Sequence, residues 1–204
     1  VIICTGGVAS PQLMELSGIG QPDLLKSHGI EVKHELTGVG EHLRDHINAP
    51  IKFHMKRGDL SYNKRMQGLG PAWQVLRYVF QKRGFMSLPS APMLAFLRTR
   101  DDMETPDVQM QIVPYAGKNY KKRLLHDFPG ITMAVYQLRP ESLGSIHIRS
   151  PLASEQPAIN FNFLSDQIDR DAMLGGVRKI RQIMDTEAMK KVRGDEFLPG
   201  RELE

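Results

Sequence analysis

Gly6 and Gly7 follow a short apolar run, Val1-Ile-Ile-Cys4, and precede Ser10-Pro11. The run reads as a buried strand and the glycines as a turn. Ser10-Pro11 reads as a helix start, with serine at the N-cap and proline at the first helical position. Strand, glycine turn and helix start in that order let a backbone come close to a bound cofactor. Other groupings offer less. Asp45-His46 sets a carboxylate beside an imidazole, but neighbours on an extended chain point opposite ways and do not act easily on one atom. A structural role fits the pair better. His42 and His46 have helical metal spacing, yet Gly40 and Pro50 bracket the stretch and no third ligand is near, so no metal site is assigned. Lys118, Lys121, Lys122 and Arg123 gather around Tyr120. Such a cluster binds phosphate or is simply solvated; without a glycine cradle it reads as a solvated loop. Lys190, Lys191 and Arg193 sit near a helix end, where positive charge complements the dipole.

The elements that position these residues follow from periodicity. A helix after Ser10 with Leu13, Met14 and Leu16 on its apolar face ends at Gly18 and Gly20. Gln21-Pro22-Asp23 opens a second helix that Gly29 stops. Ile30 to Leu36 alternates like a half-exposed strand. Ile51 to Met55 alternates strictly, and 57–70 is a polar loop. Pro71 to Lys82 is predicted as a helix buried through Trp73, Val75, Leu76, Val79 and Phe80. Strands are predicted at 93–97, 108–113, 131–137, 145–149 and 158–163. They are joined by loops rather than crossover helices, so an antiparallel sheet is expected. A last helix, 165–186, buries Ile168, Leu174, Val177, Ile180 and Met184. Gly175-Gly176 in its middle costs about 1 kcal/mol per glycine relative to alanine, a cost that close packing of another backbone explains. The fold class is α+β: a mostly antiparallel sheet with flanking helices, after a remnant of an α/β unit at 1–46.

The 204 residues suffice for a sizeable core. A hydrophobic fraction of 41% and a charged fraction of 25% are ordinary for a globular chain. No apolar run approaches the roughly 20 residues that span a bilayer. The single cysteine, Cys4, excludes an internal disulfide framework and points to a reducing compartment. In an apolar run it reads as a small buried side chain rather than a reactive thiol. Aromatics at 7% and the lack of any RNA- or DNA-binding motif argue against nucleic acid.

Three stretches resemble the glucose-methanol-choline (GMC) oxidoreductases, a family of flavin enzymes. Gly6, Ser10-Pro11, Leu13-Met14 and Ser17-Gly18-Ile19-Gly20 match the family's second signature in spacing. Gly7 stands where alanine, serine, proline or threonine is usual. Gly38-Val-Gly-Glu-His-Leu-Arg-Asp-His46 resembles G-V-G-x-N-L-x-D-H, with His42 in place of asparagine. Arg139 to Ser150, followed by Pro157 to Phe163, resembles the start of the family's C-terminal region.

The resemblance implies an internal piece of an FAD-dependent alcohol dehydrogenase, nearest the bacterial choline-type branch. Residues 1–46 would belong to the FAD-binding domain. Residues 47–204 would form the substrate-binding domain and the start of the C-terminal region. Thr5, Gly6, Gly7 and Ser10 are the candidates for lining the flavin nucleotide, or else they merely form a tight turn. No catalytic residue is assigned, because none of the seven histidines stands at the family's catalytic position. No G-x-G-x-x-G turn is present to receive a pyrophosphate, so the chain alone is expected to be inactive and not to retain FAD. Its partners would be an alcohol in the parent protein and a second copy through an exposed Val1–Cys4 edge. A cytoplasmic or membrane-peripheral location is implied. The competing reading is a non-catalytic binding module that uses an exposed sheet and basic loops.

Overall fold

The computed structural model describes residues 1–119 and 121–203. In chain order the elements are α1 (Gly6–Leu16), β1 (Ile19–Gly20), α2 (Pro22–Ser27), β2 (His34–Glu35), β3 (Glu41–Leu43), β4 (Ala49–Met55), α3 (Tyr62–Arg65) and α4 (Gly70–Gln81). There follow β5 (Met93–Leu97), β6 (Val108–Val113), β7 (Gly117–Asn119), β8 (Leu124–Leu125), β9 (Gly130–Gln137), β10 (Gly144–His147), β11 (Ala158–Asn160), α5 (Gln167–Met184), α6 (Glu187–Lys190) and β12 (Arg193–Leu198). The class is α+β, and every strand pair but β1–β2 is antiparallel. The chain divides into two compact units, Val1–His46 with Pro140–Arg170, and Ile47–Arg139 with the residues from Asp171 onward. The sequence reading kept 47–204 in one piece. Residues 140–170 instead join the first unit, because β10 pairs with β3 as well as with β11.

In the first unit, α1 begins at Gly6, not after Ser10, and Pro11 lies inside it. Proline has no N–H to donate to Gly7, so one intrahelical bond is missing and the helix tolerates the loss near its start. The expected strand Val1–Cys4 is not formed: no described strand pairs with it, and Val1, Ile2, Ile3 and Cys4 are all exposed. The cysteine is therefore not the buried filler that its apolar neighbours suggest. Helix α1 ends where expected, with the Gly18 N–H donating to the Glu15 carbonyl. The expected strand over 30–36 shrinks to His34–Glu35, because only Ile19 and Gly20 lie alongside to pair with it. Asp169, 3% exposed, accepts from the backbone N–H groups of Glu141 and Ser142 and so fixes the chain entering β10.

The second unit is built on a five-stranded sheet in the order β12-β4-β9-β6-β5. Side chains alternate between faces. Ile51, Phe53, Val108, Met110, Met133 and Val135 are buried on one face, the one that Gly176 of α5 meets at Val135. The buried stripe of α5 is Ala172, Met173, Gly176, Ile180 and Met184. Only Ile180 and Met184 of the expected set belong to it; Ile168 and Leu174 are about half exposed (54% and 48%). The glycine pair explains the rotation. A Cβ on Gly176 would lie 2.5 Å from a Val135 methyl, and one on Gly175 2.6 Å from the Thr99 Cβ. The helix thus turns its smallest residues to the sheet. Gly176→Ala is expected to lower stability by about 1–2 kcal/mol, since overpacking outweighs the helix propensity that alanine regains. Urea titration of both proteins checks this, and a more stable variant would show that the glycine is not required for packing.

Two expectations about 57–82 are corrected. The polar stretch 57–70 is not an open loop. It carries a 3-10 turn at Gly58–Leu60 and helix α3, and Ser61 and Asn63 are fully buried. The Ser61 hydroxyl donates to the Gly130 carbonyl (2.7 Å) and accepts from the Gly130 N–H (3.0 Å). Helix α4 forms as expected, but its apolar side is exposed: Trp73 by 64%, Val79 by 53% and Phe80 by 79%. Gln74 is its buried residue instead.

Strand β12 was not foreseen, because Arg-Gly-Asp-Glu-Phe-Leu has no apolar alternation. It is held by ion pairs: Arg181 with the fully buried Glu196 side chain (2.9 Å), and Arg193 with Asp185 (2.5 Å). Arg193 of the second basic run is thus a structural tether. The hydrogen bond from Arg201, ahead of other charges, holds the Asp185 carboxyl below its usual range. Of the first basic run, Lys121, Lys122 and Arg123 are exposed between β7 and β8; Tyr120 lies outside the described residues.

Candidate functional site

In the first unit, Gly7 and Ser10 of α1 line a cavity of about 450 Å³ together with Gly38, Gly40 and Ile146. The two motifs that sequence reading treated separately therefore share one concave surface. Thr5, Gly6 and Gly7 are exposed and Ser10 is half-buried. The Thr5 and Ser10 hydroxyls lie 3.1 Å apart. Gly6 adopts a left-handed φ of +80°, which turns the chain into the helix. No atom lies within 4 Å of where a Cβ of Gly6, Gly7 or Gly38 would stand. The backbone here faces open space, and the alanine usual at position 7 would fit equally well.

Gly40 differs. A Cβ there would meet the Ile146 carbonyl oxygen at 2.2 Å and the His147 ring at 2.7 Å, and φ is +80°. Its absence lets the Ile146 N–H donate to the Gly40 carbonyl at 2.7 Å. His42 has φ +59°. Asparagine and histidine are among the few side chains enriched in that region, which accounts for histidine where asparagine is usual. Asp45 and His46 are exposed, and the Asp45 carboxylate accepts from the His46 N–H at 2.8 Å. Their bond is local, and no group of three or more metal-binding side chains gathers among the described residues.

Sequence reasoning missed one cluster. Glu15 is fully buried. One oxygen lies 2.7 Å from His147 Nδ1, and the other accepts from the Ile148 N–H at 2.8 Å. His147 Nε2 lies 3.1 Å from Glu41, which also accepts from the Gln21 amide at 2.6 Å. Both ring nitrogens are engaged, so the imidazole ties α1, β3 and β10 together and is not free to take a substrate proton. The only trace in sequence is an acidic residue between Met14 and Leu16 of an apolar helix.

In the second unit, the sheet face opposite α5 is polar. The Gln109 amide donates to the Tyr136 hydroxyl, which donates to Gln111, both at 3.0 Å. A cavity of about 370 Å³ on this face is lined by Asn48, Ser90, Gln111, Tyr115 and Thr132 among others. Lys52, 6% exposed, donates to the Gly117 carbonyl at 2.7 Å from the same side.

Residues 140–203 match the family model described as GMC oxidoreductase. The chain is 32% identical over 203 residues to an oxygen-dependent choline dehydrogenase of Photobacterium profundum, covering 100% of this chain and 35% of that protein. The chain belongs to the GMC oxidoreductase family. A chloroplastic fatty acid photodecarboxylase of Chlamydomonas reinhardtii is 33% identical over 220 residues, covering 98% of this chain and 36% of the relative. The GMC chain thus spans about a third of the length of these curated relatives. Among solved structures, a formate oxidase superposes with a TM-score of 0.83 at 24% identity, over 95% of this chain and 38% of its own. A pyridoxine 4-oxidase from Mesorbium loti superposes with a TM-score of 0.73 at 18% identity, over 97% of this chain and 35% of its own. These two likenesses establish the GMC fold. No helix among the described residues is long and apolar enough to cross a membrane.

Proposed function

We propose that this chain forms part of an FAD-dependent oxidoreductase that acts on the CH–OH group of a choline-like alcohol. In this reading, the first unit contributes one wall of the flavin site and the second contributes the sheet that faces the alcohol. The observation that carries it is the shared cavity of Gly7, Ser10, Gly38 and Gly40, where open glycine backbone can approach a bound group closely. Thr5, Gly6, Gly7 and Ser10 would line the nucleotide. Bound flavin would supply the hydride-accepting chemistry that no side chain supplies. The second unit's part is positional: the Gln109–Tyr136–Gln111 row and Asn48 offer donors and acceptors that orient a small polar substrate. None of its groups is cast as the base that takes the alcohol proton.

The 204 residues alone are then expected to hold no flavin and to oxidise neither choline nor simple alcohols, with or without added FAD and a dye acceptor. A dialysis-resistant flavin band near roughly 450 nm in the isolated chain would overturn that, because cofactor retention needs the phosphate-binding turn absent here. Within a flavin-loaded polypeptide that contains these residues, Gly7→Phe is expected to abolish flavin retention without unfolding the protein. The new side chain would enter space with no neighbour within 4 Å. Full flavin content in that variant would remove Gly7 from the cofactor wall. The alternative, a non-catalytic binding module, has one observation in its favour: the exposed Trp73 and Phe80 of α4. It predicts that polypeptides containing this chain carry no flavin at all.

A further inference from the structure

The second unit holds a cavity of about 850 Å³ that the redox reading does not use. Its size is typical of small-molecule sites. Met66, Phe85, Met86, Leu88 and Leu124 are among its apolar lining residues. The Tyr62 and Phe85 rings, 5.1 Å apart and 33° from parallel, form an aromatic wall, and Tyr115 adds a third ring.

The cavity is a braced feature, not a gap between loops. Asn63, fully buried, donates to the carbonyls of Ala116 (2.9 Å) and His126 (2.8 Å) and accepts from the Ala116 N–H (2.8 Å). The Gln67 amide donates to the Asp127 carbonyl (2.8 Å). The Tyr62 N–H donates to the Pro114 carbonyl (2.7 Å). Three separate chain segments are thereby clamped into one wall.

Its charged groups are few. Arg123 lines the cavity, and its guanidinium has no hydrogen-bond or ion-pair partner among the described residues. Its backbone is held at φ +53°, a conformation that costs energy in a non-glycine residue and tends to mark functional positions. His126 also lines the cavity; its ring stacks on Phe128 at 4.6 Å and meets Phe197 edge-on at 5.3 Å, and neither ring nitrogen has a hydrogen-bond partner among the described residues. Burial, then the charges of Lys52 and Lys118, keep that ring below its usual pKa range, against the opposing pull of Asp127. It is accordingly a neutral donor at physiological pH. Asp127 is the one carboxylate in the lining among the described residues, and it is exposed.

We propose that this cavity binds an aromatic monocarboxylate, with its rings between Tyr62, Phe85 and Leu88 and its carboxylate on Arg123. A planar guanidinium presents paired donors that match a carboxylate. His126 would donate to the same group. The cavity shares Ser90 and Tyr115 with the polar sheet-face cavity, so a ligand in this position would adjoin the alcohol that the flavin reading assigns there.

The test uses isothermal titration calorimetry on the flavin-free 204-residue chain, so its failure leaves the redox reading standing. The probes are 2-naphthoate and its neutral counterpart, 2-naphthylmethanol. One equivalent of 2-naphthoate is expected to bind at least tenfold more tightly than the alcohol. Arg123→Gln, at an exposed position, should erase that difference, and Phe85→Ala should weaken both ligands about fivefold. Near-ultraviolet circular dichroism confirms that each variant keeps its fold. Absence of binding by the folded chain, equal affinity for acid and alcohol, or an unchanged 2-naphthoate affinity in Arg123→Gln would each overturn the proposal.

Discussion

Asn63→Ala is expected to lower the stability of the second unit by about 3–5 kcal/mol, because each buried polar group left without its partner costs roughly 1–3 kcal/mol. The substitution removes all three bonds to Ala116 and His126. No replacement is at hand, since Asn63 is fully buried and its neighbour Ser61 is committed to Gly130. Asn63→Asp is an informative companion. It keeps the acceptor for the Ala116 N–H but turns both donors into a lone pair or a charge, so it should be at least as damaging as alanine. Urea unfolding followed by circular dichroism reads the effect. A shift of less than about 1 kcal/mol for both variants would mean that water enters and satisfies these groups.

Glu15→Leu should cost the first unit about 3–4 kcal/mol. Its carboxylate is fully buried between the His147 ring and the Ile148 N–H. Removing one member of a buried hydrogen-bonded pair leaves the other without its partner. Leucine conserves the bulk of the site, so the loss reads the bonds and not a cavity. Glu15→Gln should recover part of it, because its carbonyl oxygen can still accept from Ile148. The comparison is decisive in thermal unfolding: leucine and glutamine variants with the same midpoint would mean that the acceptor does not matter.

Much of the architecture was legible in the sequence because period-2 and period-3.6 patterns survive wherever one side of an element is buried. The strand at 108–113 follows that rule, with Val108 and Met110 buried, whereas the helix at 70–81 and the strand at 93–97 form as expected with their apolar side chains largely exposed. The reading failed where burial is polar. Ser61, Asn63 and Glu15 are buried for their hydrogen bonds, and nothing in local hydropathy distinguishes them from solvated residues. Strand β12 escaped for the same reason, being tied by Arg181 and Arg193. The α5 stripe was misplaced because apolarity was taken as the sign of contact. Close contact here goes to Gly175 and Gly176, which hydropathy does not mark as apolar. At the cofactor candidates, sequence marked Gly7 and Ser10 but gave no means of seeing that Gly38 and Gly40 share their cavity, because the long intervening stretch carries no distance information.

The pairing of β3 with β10 has a consequence for how the polypeptide is made. Glu41 and His147 meet across 106 positions, so closing this loop carries an entropic cost that local contacts do not. During synthesis, which proceeds at about 5–20 residues per second, β3 leaves the ribosome seconds before its partner exists. Until then, Glu15 and Glu41 lack the imidazole they converge on, and the first unit cannot be completed. The second unit's β4, β5, β6 and β9 are all translated within that interval. The chain's beginning must therefore wait, open and exposed to chaperones or proteases, while its middle is already assembling.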